Sequence, residues 1–346
     1  MFLFLSCILK LPGGWSSLEH MHTPQTQNVA LVQETGDPSV LRPSQAPVPP
    51  PGAHELLVKT RATGVNFIET YQRAGVYSVK LPFIPGGEAC GIVEAVGDQV
   101  SEFSVGDRIT TASATQTYGE FFTVPEEFAA AVPDEISDEI AAALPLQGMT
   151  AHYLTRSTFA VNPEHTVLLH AGAGGVGGIA IQLLKSIGAT VITTVSTEEK
   201  KRIALNHGAD HVLFYDNFAE ETLEITQGKG VDVAYDSVGK TTFDQTLKTL
   251  KTRGTAVLFG GASGQVPPFD LQQLNALGSL YVTRPTLAHY TLNRPEFLWR
   301  MNELFDRILA KELTVTIDHI FPLTQASQAH EYLEGRHTRG KVLLMP

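Results

Sequence analysis

The chain has 346 residues, a length that suits about two domains. Hydrophobic residues make up 43% and charged residues 18%, so a full core can form and a disordered chain is excluded. The formal net charge of -11 opposes a generic grip on nucleic acid or on an anionic membrane, and the two cysteines, Cys7 and Cys90, supply neither a disulfide framework nor a four-thiolate zinc lobe.

The chain begins with MFLFLSCIL (1–9), which looks like the apolar core of a signal peptide. No positive charge precedes it, Lys10 follows, and Pro12, Gly13, Gly14 and Trp15 make a poor cleavage context. The preferred reading is an upstream start with Met21 as the working initiator, an export signal being the alternative. Residues 1–27 are then an N-terminal extension, expected to be disordered. No run reaches the roughly 20 apolar residues of a membrane span.

NVALV (28–32) opens the ordered chain as a first strand. ELLVKTRATGV (55–65) and GIVEAVG (91–97) alternate at a strand period, Gly106-Asp107 turns into another strand, and YGEFFTV (118–124) is a further one. Short strands at this spacing predict an antiparallel barrel-like domain. After about Gly148 the texture changes. Six near-continuous apolar runs follow: TVLLH (166–170), TVITTV (190–195), HVLF (211–214), VDVAY (231–235), TAVLF (255–259) and SLYVT (279–283). Separated by helical patterns, they predict parallel strands covered on both faces, an α/β doubly wound sheet. The tail reads helix (295–310), strand (313–321), helix (325–334) and a closing VLLMP. It is too short for a third domain and is expected to return to the first, so that the doubly wound domain is inserted.

GAGGVG (172–177) lies directly after TVLLH and directly before a helix with Ile179, Ala180, Leu183, Leu184 and Ile187 on one face. A lone GxGxxG is weak; in strand–turn–helix context it predicts a dinucleotide site. Gly172 is expected to permit the tight turn, Gly174 to let backbone approach a diphosphate, and Gly177 to let helix and strand pack, with Gly175 and Val176 at the helix N-terminus. The acid that would bind a ribose 2′-hydroxyl is missing, since the second strand ends Val195-Ser196-Thr197. Ser196 leaves room for a 2′-phosphate and Lys200 can neutralise it, which favours NADPH. Glu198 and Glu199 count against this, unless they only serve the helix dipole.

A metal is not expected. PGGEACG (85–91) offers Glu88 and Cys90 without a histidine or second cysteine, and Cys90 reads as a small buried hydrophobe. His152, His165, His170, His207 and His211 read as surface or strand-end residues.

Several segments together resemble one family. They are VNFIETYQRAGVY (65–77), PGGEACGIVEAVG (85–97), LQGMTAHYL (146–154), HAGAGGVGGIAIQLLK (170–185), YDSVG (235–239), GSLYVTRPTL (278–287) and EGRHTRGKVLLMP (334–346). The chain resembles the zeta-crystallin-like quinone oxidoreductases, the zinc-independent branch of the medium-chain dehydrogenase/reductases, from about residue 28 to the end. The resemblance implies a GroES-like catalytic domain (28–148 and 288–346), a Rossmann NADPH-binding domain (149–287) and NADPH-dependent reduction of quinones by a cytoplasmic homodimer. It implies that Asn66 and Tyr71 line the nicotinamide end of the cleft. Thr150 is implied as a cofactor contact, with Lys200, Tyr215 and Arg336 on the 2′-phosphate or adenine side. Ser237, Phe259 and Val282 are implied around the nicotinamide and its ribose. Ala262 stands where the family often has serine, and the N-terminal extension is a second departure.

Tyr71 is the candidate to orient or protonate the acceptor oxygen, with Asn66 beside it, as the two catalytic candidates. Against these stand simpler roles: a core aromatic for Tyr71, a helix-end charge for Arg336. The competing activity is NADPH-dependent reduction of alkenals or enones. From another class comes a dinucleotide-binding protein with an RNA-binding or structural role, against which the acidic charge argues.

Overall fold

The computed structural model describes residues 23–346, so the reading of an N-terminal signal or extension lies outside the described residues except for its last few positions. The first strand, Thr26–Val32, begins two residues before the expected Asn28 and pairs antiparallel with Leu41–Pro47.

The six apolar runs form one six-stranded parallel sheet in the order His211–Phe214, Thr190–Val195, Thr166–Leu169, Val231–Asp236, Leu250–Leu258, Tyr281–Thr283. Relative to chain order this is 3-2-1-4-5-6, with its switch between the first and fourth strands. The helix after the first strand, Gly175–Ile187, buries Ile179, Ala180, Leu183 and Leu184, and Gly188 ends it at φ 97°. Both features follow from the 3.6-residue apolar period and from glycine's freedom at a left-handed C-cap.

The other sheet is built on Glu55–Val65, which pairs antiparallel with Ala89–Val96, with Phe121–Pro125 and with the chain's last strand, Lys341–Met345. Val342 lies opposite Val65 and Leu344 opposite Thr63, so the tail does return to the first strands. One pair in this sheet, Ile317–Pro322 with Lys341–Met345, is parallel, a departure from the all-antiparallel expectation. Short helices that the strand-like texture concealed also appear, among them Phe67–Arg73 and Pro145–Tyr153. The second packs between Gly175–Ile187 and the Arg294–Leu309 helix, so that Met149, Ile179, Met301 and Leu304 share one core.

Two of the histidines read as surface or strand-end residues are buried, His170 directly after the strand Thr166–Leu169. His152 is fully buried, with Nε2 2.9 Å from Glu303 Oε2 and Nδ1 2.9 Å from Arg300. His170 bridges the hydroxyls of Thr194 and Thr246, each at 2.8 Å. Burial lowers the pKa of both, the carboxylates of Glu303 and Asp236 respectively pulling the other way. Spacing alone hid them, because each partner is far away in sequence.

Candidate active site

A cavity of about 1190 Å³ opens over the carboxyl ends of the parallel strands. Its floor is the phosphate loop, and Gly174, Gly175, Val176 and Gly177 all line it. The first N–H groups of Gly175–Ile187 have no partner within the helix, and the residues that carry them line the cleft, where they are available to an anion. A methyl on Gly174 would meet nothing nearer than the Ala171 carbonyl at 3.2 Å, so ligand can approach that face. A Cβ on Gly177 would stand 2.2 Å from the same carbonyl, which makes this position obligatory glycine. Gly172 differs from its expected part. The left-handed residue of the turn is Ala171, at φ 58°, and Gly172 is required because the Thr193 side chain fills the space of its Cβ, 2.2 Å away. Gly172 therefore supports the loop from beneath and does not line the cavity.

Gln147 is a lining residue that pattern reading missed. Its side chain occupies the place of a Cβ on Gly175, and its Oε1 is buried without a hydrogen-bond partner. The free N–H groups call for an acceptor and the orphaned Oε1 for a donor, which a diphosphate and a ribose hydroxyl of one dinucleotide can supply.

Farther along the cavity lie Ser196, Lys200, Tyr215 and Arg336. Thr197 is the N-cap of the Glu198–Asn206 helix, its hydroxyl accepting from Lys200 N, so that Ser196 alone of the two hydroxyls lines the cleft. Lys200 Nζ donates to the Arg336 carbonyl at 2.9 Å. Burial lowers the pKa of Lys200, opposed by Asp318 and reinforced by Arg339. Glu199, which counted against a phosphate here, is paired with Arg339 at 2.5 Å, and Glu198 is exposed outside the cavity. The corner thus brings together two cations, one hydroxyl and one aromatic wall, with Asp216 and Glu220 also on the cavity lining; Lys200 and Arg336 suit a ribose carrying a phosphate.

Ser237, Phe259 and Thr150 line the middle. Asp236, fully buried at the end of the fourth strand, holds the Ser237 loop. Its Oδ1 accepts from Val238 N at 2.8 Å and Gly239 N at 2.9 Å, and both its oxygens accept from the Thr242 hydroxyl. Val282 is not brought to the cavity. It lies on the edge strand, 39% exposed, while Arg284 two residues on does line the cleft. Arg284 stands beyond the end of that strand, Tyr281–Thr283, so the strand's side-chain alternation does not govern where it points.

At the far end stand Asn66 and Tyr71, at the start and on the face of the Phe67–Arg73 helix. Asn66 is held on three sides. Its backbone N–H donates to Glu69 at 2.6 Å, its Nδ2 donates to Glu88 at 3.0 Å, and its Oδ1 accepts from Lys341 Nζ at 2.6 Å. Lys341 also pairs with Glu88, and neither side chain is exposed at all. Glu69 beside them is pushed up to about 8 by burial, with Lys341 and the Asn66 N–H opposing. Burial raises the Tyr71 phenol, Tyr77 and Glu334 acting the same way and Arg284 and the Gly261 backbone against it. Tyr71 therefore carries its proton at neutral pH. Tyr77 meets it edge-on at 5.6 Å, and Tyr153, stacked on Tyr290 at 4.4 Å, closes the wall.

Among the described residues no group of three or more His, Cys, Asp or Glu side chains is placed to hold a metal ion. The two candidates in the 85–91 segment are engaged elsewhere: Glu88 is neutralised by Lys341, and the buried Cys90 thiol, raised by burial, faces Asp138 at 3.8 Å.

Family models match in two places, an alcohol dehydrogenase GroES-like domain over residues 52–153 and a zinc-binding dehydrogenase domain over residues 175–301. A quinone oxidoreductase of Pseudomonas aeruginosa is 43% identical, covering 90% of this chain and 97% of its own. The structure of Escherichia coli quinone oxidoreductase complexed with NADPH superposes with a TM-score of 0.90 at 41% identity, over 93% of this chain and all of that one. A 2-haloacrylate reductase of a Burkholderia species is 40% identical over 92% of this chain and 98% of its own. The chain belongs to the quinone oxidoreductases of the medium-chain dehydrogenase/reductase superfamily.

Proposed function

We propose that this protein is an NADPH-dependent quinone reductase acting without a metal. The observation that carries the reading is a single cleft with two unlike ends: glycine-lined helix N–H groups with Lys200, Arg336 and Ser196 at one, and Asn66, Tyr71, Tyr77 and Tyr153 at the other. When bound, NADPH supplies the hydride. Gly174, Gly175, Val176 and Gly177 take the diphosphate, Lys200 and Arg336 the 2′-phosphate, and Tyr215 stands beside the adenosine. Thr150, Ser237 and Phe259 flank the middle of the dinucleotide. Residues 28–148 with 288–346 serve as the catalytic domain and 149–287 as the nucleotide domain.

The acceptor lies against Tyr71, whose protonated phenol donates to the acceptor oxygen as negative charge builds there. Asn66 cannot swing, because Glu88 and Lys341 grip both ends of its amide. A quinone is already electron-poor, so alignment and exclusion of water suffice and no Lewis acid is needed. Reduction of an activated carbon–carbon double bond is the second reading. The Arg284 cation at this end of the cleft favours it, since it can stabilise an enolate, and a haloacrylate reductase is among the relatives.

A homodimer is supported by the edge strand Tyr281–Thr283, which pairs on one side only and exposes Tyr281 at 62%. No helix of the described residues is long and apolar enough to cross a membrane, which suits the proposed cytoplasmic setting. The charge of -11 makes nucleic acid an unsuitable main ligand.

The test is oxidation of NADPH and of NADH, each scanned against ortho-quinones, para-quinones and alkenals, with the products identified. Hydroquinone formed from NADPH supports the reading; a saturated carbonyl as the chief product transfers it to the second. Calorimetry that detects uptake of neither dinucleotide by the folded protein overturns both.

A further inference from the structure

The two ends of the cleft are also joined outside it. Arg73 closes the helix that carries Tyr71. Its guanidinium is 2% exposed and makes a two-pronged pair with Glu334, Nη1 to Oε2 at 3.1 Å and Nη2 to Oε1 at 2.8 Å. Glu334 is the last residue of the Ala326–Glu334 helix, and Arg336 follows two positions later in a left-handed conformation, φ 58°. The Arg336 carbonyl is where Lys200 Nζ is fastened. Tyr71, Lys200 and Arg336 all line the one cavity.

We propose that Arg73 and Glu334 are a positioning pair, through which an occupied ribose-phosphate corner sets the placement of Tyr71 at the opposite end. The inference rests on the reading of the chain as an NADPH-dependent quinone reductase. Three observations support it. The Phe67–Arg73 helix has only seven residues, too few to hold its own orientation, so its direction is fixed by what grips it. Arg73 is buried, its Nε has no acceptor, and Glu334 is the carboxylate that forms a salt bridge with it among the described residues. The connection from Glu334 to Arg336 is the one residue Gly335, in a short turn closed by Gly335 N–H to the Glu331 carbonyl at 2.9 Å and Arg336 N–H to the Leu333 carbonyl at 3.2 Å.

A phosphate drawn in by Lys200 and Arg336 therefore loads a short hydrogen-bonded turn whose other end is the carboxylate holding Arg73. A dinucleotide without that phosphate leaves the turn unloaded. The 2′-phosphate then acts on turnover as well as on affinity, although it lies at the end of the cleft away from the acceptor.

The experiment uses the full chain with a para-benzoquinone. It measures kcat and KM for NADPH and NADH, and Kd for each by calorimetry, in the parent, Glu334→Gln, Glu334→Asp and Arg73→Lys. The parent is expected to show a higher kcat with NADPH than with NADH. Glu334→Gln is expected to lower kcat with NADPH by about threefold to tenfold, to leave kcat with NADH within about twofold, and to keep the ratio of the two Kd values. Glu334→Asp, which keeps the charge, recovers part of the loss. If Glu334→Gln does not fold, Arg73→Lys replaces it on the same readout, since lysine keeps the charge and loses the second prong. Equal kcat for both dinucleotides in the parent overturns the proposal, as does a variant that slows both equally, the signature of a purely structural pair. A parent that oxidises neither dinucleotide with any quinone overturns the functional reading itself, and is distinguished by that.

Discussion

Lys341 Nζ donates to Asn66 Oδ1 at 2.6 Å, and so ties the last strand of the chain to the residue that opens the helix of the acceptor end. The ammonium shares a closed space with Glu88 and Glu69, and burial inverts the ordinary worth of each charge. Lys341→Met leaves Glu88 buried without a counter-charge. The expected cost is about 3–5 kcal/mol of stability, and the double variant Lys341→Met/Glu88→Gln recovers most of it. Denaturant unfolding of the parent and both variants checks this, and a double variant no better than the single one counts against the ion-pair account.

Glu69 gives the pH dependence a definite sign. Its carboxyl is raised from 4.5 to about 8, so the folded protein holds a proton there that the unfolded chain releases. Its contribution to stability is fully present below about pH 4.5 and is lost as pH rises through 8. Glu69→Gln keeps an acceptor for the Asn66 N–H and cannot ionise. The variant should flatten the fall in stability between these limits, read from unfolding midpoints at pH 5, 6.5 and 8.

Tyr71→Phe removes the phenol and keeps the ring that packs against Tyr77 and Phe67. Quinone turnover should drop by roughly tenfold to a hundredfold while the Kd for NADPH stays the same. Equal turnover in parent and variant would remove Tyr71 from the chemistry.

Lys200→Ala and Arg336→Ala should each weaken NADPH binding by about tenfold and leave NADH binding unchanged, because only NADPH carries the phosphate that a charge-assisted hydrogen bond would hold. Isothermal titration with the two dinucleotides separates this outcome from general damage to the cleft, which would weaken both.

The phosphate loop offers a steric contrast. Gly177→Ala places a methyl 2.2 Å from the Ala171 carbonyl, whereas Gly174→Ala meets nothing closer than 3.2 Å. The first should cost about 1–3 kcal/mol of stability along with NADPH affinity; the second should leave stability intact and lose affinity alone, its methyl facing the ligand. Thermal melts with and without NADPH distinguish the two.

By itself the sequence determined the six parallel strands, the glycine loop and the helix behind it, because these are repeating local patterns: apolar runs, a 3.6-residue period, a glycine at each turn. It determined the return of the tail and, through resemblance, that Tyr71, Lys200 and Arg336 share a cleft. Only the tertiary structure decided what grips them. Lys341 meets Asn66 across 275 positions, Arg73 meets Glu334 across 261, and His152 meets Glu303 across 151. It also put Val282 on an exposed edge and Arg284 in the cleft, and gave the left-handed turn to Ala171 rather than Gly172. The physical reason is common to the three pairings. Periodicity reports which way a side chain faces within its own element, whereas a buried charge must be matched by whichever distant group the fold brings within hydrogen-bonding distance.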